Sequence, residues 1–442
     1  MHLSGFLIRS TVVAALGGLL FGFDTAVIAG VTEALSRVYH LDPNGLGITV
    51  AAALAGTIIG AMLAGYPGDH LGRRDSLRGL AILYVISAVG CGIAWSWSAL
   101  VVFRFVCGLA IGGSSVLGPM YIAEISPARW RGRLVGFFQF NVVAGILIAY
   151  LSNYLIGTAG LGANEWRWKL GVSAIPAAFF LAMLYSIPRS PRWLVSKGRT
   201  PEARRVLEMI GETDIETELA DMQATLAQNQ TLSAEPLFVS KYRLPIFLAI
   251  SIAMFNQLSG INAILYYLND IFAKAGFTKV SADLQSVAIG ATNLLFTILA
   301  MSIIDRAGRR KLLLIGSVGT AICLAGVAAI FLSGSHENLL LWCLVGFIAF
   351  FGFSQGAVIW VYLSEVFPNS VRAKGQSLGS FTHWFMNALI SWVFPIVAAQ
   401  SRALPFVFFS AMMVAQFFVV LTVYPETKGV SLEQIQKKLA IV

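Results

Sequence analysis

The sequence predicts an all-α membrane protein, with twelve transmembrane helices in two pseudo-symmetric six-helix bundles and a cytoplasmic helical linker. Three observations predict it. The composition is too apolar for water, the apolar residues fall in runs long enough to cross a bilayer, and a set of charged motifs occurs twice.

Hydrophobic residues make up 57% of the 442 and charged ones 12%, against about 25% charged in an ordinary soluble domain. So few charges cannot cover a core of that size in water. The composition excludes a cytosolic enzyme, a disordered chain and a secreted disulfide scaffold, and leaves a chain solvated by a lipid bilayer. The net charge of +9 does not imply nucleic acid, because Lys and Arg form short clusters between apolar runs rather than one stripe. Cys91, Cys107, Cys323 and Cys343 all lie in apolar runs without CxxC spacing and read as small packing residues.

A bilayer-crossing helix needs about 20 apolar residues. Most connections between the apolar runs are short. The exception is 188–243, which is polar and carries Val206, Leu207 and Ile210, then Leu219, Met222 and Leu226, at helical spacing. The expected division is an N-terminal six-helix bundle (1–187), linker helices (188–243), a C-terminal six-helix bundle (244–424) and a tail (425–442). With both termini cytoplasmic, only Arg37, Arg167, Lys169, Lys274, Lys279 and Arg402 of the 31 basic residues fall outside, and Arg104 within a span. That asymmetry favours this orientation.

The chain repeats itself. GYPGDHLGRR (65–74) returns as SIIDRAGRR (302–310), AEISPARWRG (123–132) as SEVFPNSVRA (364–373), and PRSPRWL from Pro188 as PETKG from Pro425. The near-constant offset means two homologous halves, which puts the expected functional site near the midplane where they meet.

Nine stretches carry a family resemblance: GGLLFGFDTAVIAG (17–30), GDHLGRR (68–74), RFVCGLAIGG (104–113), PMYIAEISPARWRGRLVGFFQF (119–140), PRSPRWL (188–194), NQLSGINAILYY (256–267), DRAGRRK (305–311), WVYLSEVFPNSVRAKG (360–375) and PETKG (425–429). In this order they resemble the sugar porter family of the major facilitator superfamily. The resemblance implies a major facilitator fold, a monosaccharide substrate, no cofactor, and a multi-pass protein of the cell membrane that works as a monomer, in bacteria the inner membrane.

Asp24 stands in a run of Gly, Leu, Phe, Ala and Val. A charge at a helix centre costs roughly 2.5–3.5 kcal/mol on the mild insertion scale, so it needs a partner or a proton. Arg104 is the basic residue deep in the first half, and in the resembled fold their spans are neighbours. Desolvation favours the protonated acid while the cation favours the carboxylate. Sugar/proton symporters resemble this chain at both positions, whereas facilitators typically carry an amide in place of the acid. The expected role is proton coupling; a static ion pair is the plainer alternative.

A sugar offers hydroxyls and two weakly apolar faces, which neutral amides and aromatic planes match. Amides and tryptophans stand inside apolar runs at Gln139, Gln257, Asn262, Asn293, Trp360 and Trp384, and each resembles a sugar-contacting position of the family. Phe21, Tyr266 and Asn387 are candidates for gating or lining the cavity. Helix–helix hydrogen bonding is the plainer reading of the amides. The family's Gln-Gln pair is Asn256-Gln257 here, and His383 replaces a common amide.

Matched acids and bases close each repeat: Asp69 with Arg73 and Arg74, Glu124 with Arg131, Asp305 with Arg309 and Arg310, and Glu365 with Arg372. They are expected to latch the cytoplasmic side as a network, since single exposed pairs contribute only about 0–1 kcal/mol. Arg189 stands where the family usually has an acid, which removes an expected partner of a latch arginine. Gly352, Gly356 and Pro395 are expected bending points, and Ala357 replaces a frequent proline.

Gly375–Gly379 fits GxSxG but has no strand before it. There is no HExxH, Walker loop or GxGxxG, and the five histidines lack metal-ligand spacing. The expectation is therefore no catalytic set, no metal, and proton symport of a monosaccharide by alternating access. A passive sugar uniporter is the alternative, and a non-transporting sugar receptor the third reading.

Overall fold

The computed structural model describes residues 4–127, 130–212, 214–231, 235–368 and 370–428; the side chains of 227–231 and of Asp305 also lie outside the described set. Among the described residues the regular structure is helical, with no strand. The helices are α1 (Gly5–Val27), α2 (Thr32–Val38), α3 (Pro43–Leu63), α4 (Gly65–His70), α5 (Arg73–Gly92), α6 (Trp97–Ile125) and α7 (Arg131–Thr158), then α8 (Glu165–Gly171), α9 (Ala174–Met183), α10 (Pro191–Ser196), α11 (Thr200–Ile210) and α12 (Ile215–Thr231). After them come α13 (Arg243–Leu258), α14 (Ile261–Tyr266), α15 (Leu268–Lys274), α16 (Lys279–Ala307), α17 (Arg309–Ser333), α18 (Leu340–Phe353), α19 (Gln355–Glu365), α20 (Arg372–Gln400) and α21 (Leu404–Val423).

Eleven stretches among the described residues are long and apolar enough to cross a membrane. The sixth apolar run expected from the sequence, at about 167–187, is the exception, because it divides into α8 and α9. Val172 and Ser173 interrupt it, and the Ser173 hydroxyl donates back to the Leu170 carbonyl at 2.7 Å, a bond that competes with the helical ladder. Two other runs are also interrupted. Gly260, in the left-handed region at φ +81, separates α13 from α14. Ser354, between Gly352 and Gly356, separates α18 from α19 and donates to the Phe350 carbonyl at 2.5 Å. Pro395 lies within α20 without ending it.

Chain contacts define two compact units. One contains Met1–Val27, Ala52–Ala149 and Gly162–Ser233; the other contains Ile28–Ala51, Tyr150–Leu161 and Ala234–Val442. The first is built on buried Ala14, Leu77, Leu117, Tyr121 and Phe180. In it Gly56 and Gly60 of α3 face Gly108 and Gly112 of α6. A Cβ at Gly108 would lie 1.9 Å from the Ala53 carbonyl oxygen, so only glycine permits this backbone contact. The linker forms α10, α11 and α12, and α11 turns Ala203, Val206, Leu207 and Ile210 into the same core. The second unit packs around Leu248, Ile252, Leu313, Val358, Tyr362 and Val420.

Candidate functional site

In the first unit the run of glycines in α1 lets α7 approach, so that a Cβ at Gly22 would lie 1.8 Å from the Val142 carbonyl oxygen. Two positions on, Asp24 meets α6. Arg104 Nη1 donates to Asp24 Oδ1 at 2.7 Å, with the arginine side chain 3% exposed and the aspartate 16%. Cys107 Sγ, a turn further along α6, donates to the same oxygen at 3.4 Å. Removing one partner would leave the other side chain's polar group dry and unpaired, which is costly. Phe21 is half-buried on α1, and Gln139 is exposed on α7.

The second unit holds a neutral cluster at the α13–α14 break. Gln257 Nε2 donates to Asn256 Oδ1 at 3.1 Å and lies 3.2 and 3.3 Å from the two His383 ring nitrogens. Its Oε1 accepts from Asn262 Nδ2 at 3.0 Å. Asn256 also donates to the Gln355 carbonyl at 3.3 Å, tying the cluster to the start of α19. The His383 ring lies with its centroid 5.2 Å from those of Trp360 and Trp384. Trp384 is buried whereas Trp360 is 42% exposed, an open aromatic plane beside the amides. Asn387 Nδ2 donates to the Tyr266 hydroxyl at 3.4 Å, and Ser391 donates back to Asn387. Asn293, on α16, is buried. Interrupted helices that free backbone groups beside polar side chains are a recurrent way to build a transport site.

Of the motif charges, Asp69 and Arg73 pair as expected, whereas Glu124 and Glu365 take other arginines than those next to them in the motif. Arg73 Nε meets Glu124 Oε1 at 2.9 Å and its Nη1 meets Asp69 Oδ1 at 3.0 Å. Arg309 Nη2 meets Glu365 Oε1 at 3.0 Å. Arg131 turns instead to the Ala123 carbonyl at 3.1 Å, and Arg372 to the Phe367 carbonyl at 3.3 Å. Arg131 thereby takes a carbonyl of the last turn of α6, and Arg372 one in the turn that follows α19, rather than the acids expected for them. The Asp305 side chain lies outside the described residues. Arg189 is not left over: it finds Asp75 at 2.9 Å, a residue easily read as one more charge beside a basic motif. Cys107 was likewise hidden among small packing residues.

An all-helical chain with membrane-length spans, interrupted helices at a polar cluster and the same charged motif in each half defines a multi-pass membrane transporter of the major facilitator fold. A family model described as "Sugar (and other) transporter" matches residues 10–439. The chain is 35% identical to the D-xylose-proton symporter of Escherichia coli (strain K12), over 98% of this chain and 96% of that one. It is 35% identical to the arabinose-proton symporter of Bacillus subtilis (strain 168), over 99% and 96%. Among solved structures it is similar to the inward open conformation of the xylose transporter XylE from E. coli, with TM-score 0.88, 33% identity, and coverage of 98% and 100%. The chain belongs to the sugar porter family of the major facilitator superfamily, whose members are transporters rather than enzymes.

Proposed function

We propose that this chain is a proton-coupled monosaccharide symporter that works by alternating access. The observation that carries the reading is the buried Asp24–Arg104 ion pair at 2.7 Å, in a chain whose relatives include two named as sugar-proton symporters. Proton binding to Asp24 cancels its attraction to Arg104 and frees α1 and α6 to reorganise; proton loss restores the pair. Gln257, Asn262, Asn256, Asn293 and His383 supply neutral donors and acceptors for hydroxyls, and Trp360 and Trp384 the planes for the ring. Gln139 adds a donor from the first half, and Phe21, Tyr266 and Asn387 line or gate the path. The pairs Arg73–Glu124 and Arg309–Glu365, with Asp69, Arg131, Asp305 and Arg372, form the latch.

The same reading has an N-terminal bundle (1–187) and a C-terminal bundle (244–424) flanking the linker (188–243). Both termini and the tail (425–442) lie in the cytoplasm, in a bacterial inner membrane, and the protein acts as a monomer. The test is uptake into proteoliposomes of labelled xylose, arabinose, glucose, galactose and inositol, with and without an acid-outside pH step. At least one sugar should accumulate above equilibrium, by up to about tenfold for each pH unit of the step at one proton per sugar. Asp24→Asn should abolish accumulation while leaving sugar exchange. Wild-type uptake that only equilibrates, whatever the pH step, would make the protein a passive uniporter.

A further inference from the structure

One carboxyl stands apart from both polar clusters. Asp270 is on α15, beyond the membrane-length stretch that ends at Tyr266. It is half-buried within the second unit and borders a cavity of about 270 Å³, whose edge also holds Thr32, Glu33, Asp42, Lys274 and Arg402. The facing wall is the stretch after α1, docked through buried Ile28, Ala29, Val31 and Thr32. Thr32, whose hydroxyl donates to the Ala29 carbonyl at 3.4 Å, borders the same cavity as Asp270.

The charged neighbours are largely engaged elsewhere. Glu33 pairs with Arg37 at 2.5 Å. Asp42 accepts from the Gly45 N–H at 2.7 Å. Arg402 donates to the Lys274 carbonyl at 2.9 Å. Asp283, on the adjoining α16, is bonded by Asn269. Lys274, one turn on, reaches Asp270 only through its field, and no Lys or Arg forms an ion pair with Asp270 among the described residues.

We propose that Asp270 is a second proton-binding site, separate from Asp24, that ties docking of the 28–46 stretch onto α15 to the pH of the solution on that face. When docked, the carboxyl loses water without gaining an ion partner. Burial then pushes it up to about 6, against the opposing pull of Thr32 and Lys274. When undocked and hydrated it returns to about 3.9. The docked value is the higher one, so protonation favours docking. That contribution is full below about pH 4 and is lost as pH rises through about 6. Across this window the docked-to-undocked ratio changes by up to about tenfold per pH unit, about 100-fold in all. That this face is the outer one rests on the orientation proposed above; the docking equilibrium itself does not.

The test uses the full chain in detergent with its four cysteines replaced and spin labels at exposed Val38 and Val280, with label distances recorded from pH 4 to 8. In wild type the docked population should fall between pH 4 and 6. Asp270→Asn should hold it constant. Lys274→Gln should carry the response to higher pH, because the carboxylate loses its favourable neighbour, an effect that a merely structural role would not produce. Asp24→Asn should leave the response intact. A pH-independent wild type, an Asp270→Asn variant that still responds, a Lys274→Gln response that does not move, or a response lost in Asp24→Asn would each overturn the proposal. Failure of the coupling reading is recorded separately, by sugar uptake.

Discussion

The ends of the two units that carry the repeated motifs are built alike except at one position. In the first, Ser190 donates to Glu124 and the Tyr121 hydroxyl to the Pro188 carbonyl at 2.8 Å. In the second, Thr427 donates to Glu365 at 2.6 Å and the Tyr362 hydroxyl to the Pro425 carbonyl at 3.3 Å. The residue after the proline differs in sign. Glu426 accepts from the backbone N–H groups of Arg309, Arg310, Thr427 and Lys428 at 2.9–3.1 Å, capping the start of α17. Arg189 has nothing to accept with. In its half the acid comes from Asp75 in the first turn of α5, held by Arg74 at 2.9 Å, Arg78 at 2.8 Å and Arg189 at 2.9 Å. The difference teaches that a carboxylate at the helix start, favourable to its dipole, can come from different places in the chain and do different work: Glu426 takes up backbone N–H groups, whereas Asp75 gathers three arginine side chains.

The comparison breaks most sharply at the buried pairs. Arg73→Leu takes the ion partner from the Glu124 carboxylate, 11% exposed, leaving it the Ser190 hydroxyl, and should lower stability by about 3 kcal/mol. Arg309→Leu should cost less, because Glu365 is 25% exposed and better hydrated, while each acid keeps its own hydroxyl partner. Thermal midpoints in detergent check the ranking, and equal losses would mean that burial does not distinguish the two ends. Next in size is Glu426→Ala. It removes the acceptor for four N–H groups and should cost about 1–2 kcal/mol, with faster hydrogen exchange at the start of α17. The smallest effect belongs to Asp75 and Arg189, 21% and 31% exposed. A double-mutant cycle with Asp75→Asn and Arg189→Met should give a coupling of about 0–1 kcal/mol. Asp75→Asn with Arg189→Glu rebuilds the Glu426 arrangement and should be tolerated better than Arg189→Glu alone.

Asp24 and the amides were legible because a polar side chain in an apolar run is costly and therefore conspicuous. The spans were legible for the same reason, since a hydrophobic run reports its own length. What escaped was pairing. Arg131 stands seven residues after Glu124, yet the chain turns between α6 and α7 so that its guanidinium meets the Ala123 carbonyl, and the acid's partner comes from the start of α5. Proximity along a motif does not report the direction in which a turn sends a side chain. The division of α8 from α9 escaped because Ser173 is an unremarkable residue until its hydroxyl takes a backbone carbonyl. His383 was marked as a departure, but its place against Gln257, far along the chain, follows only from how α13 and α20 pack.

Gln257 already has company on both ends of its amide, with Asn256 and His383 at one and Asn262 at the other. A hydroxyl arriving there exchanges one neighbour for another, and the net gain per exchanged hydrogen bond is small, on the order of 1 kcal/mol. Under the reading proposed above, the pocket greets its guest without clinging to it. Such loose hospitality suits a carrier, whose turnover depends on how readily it lets go.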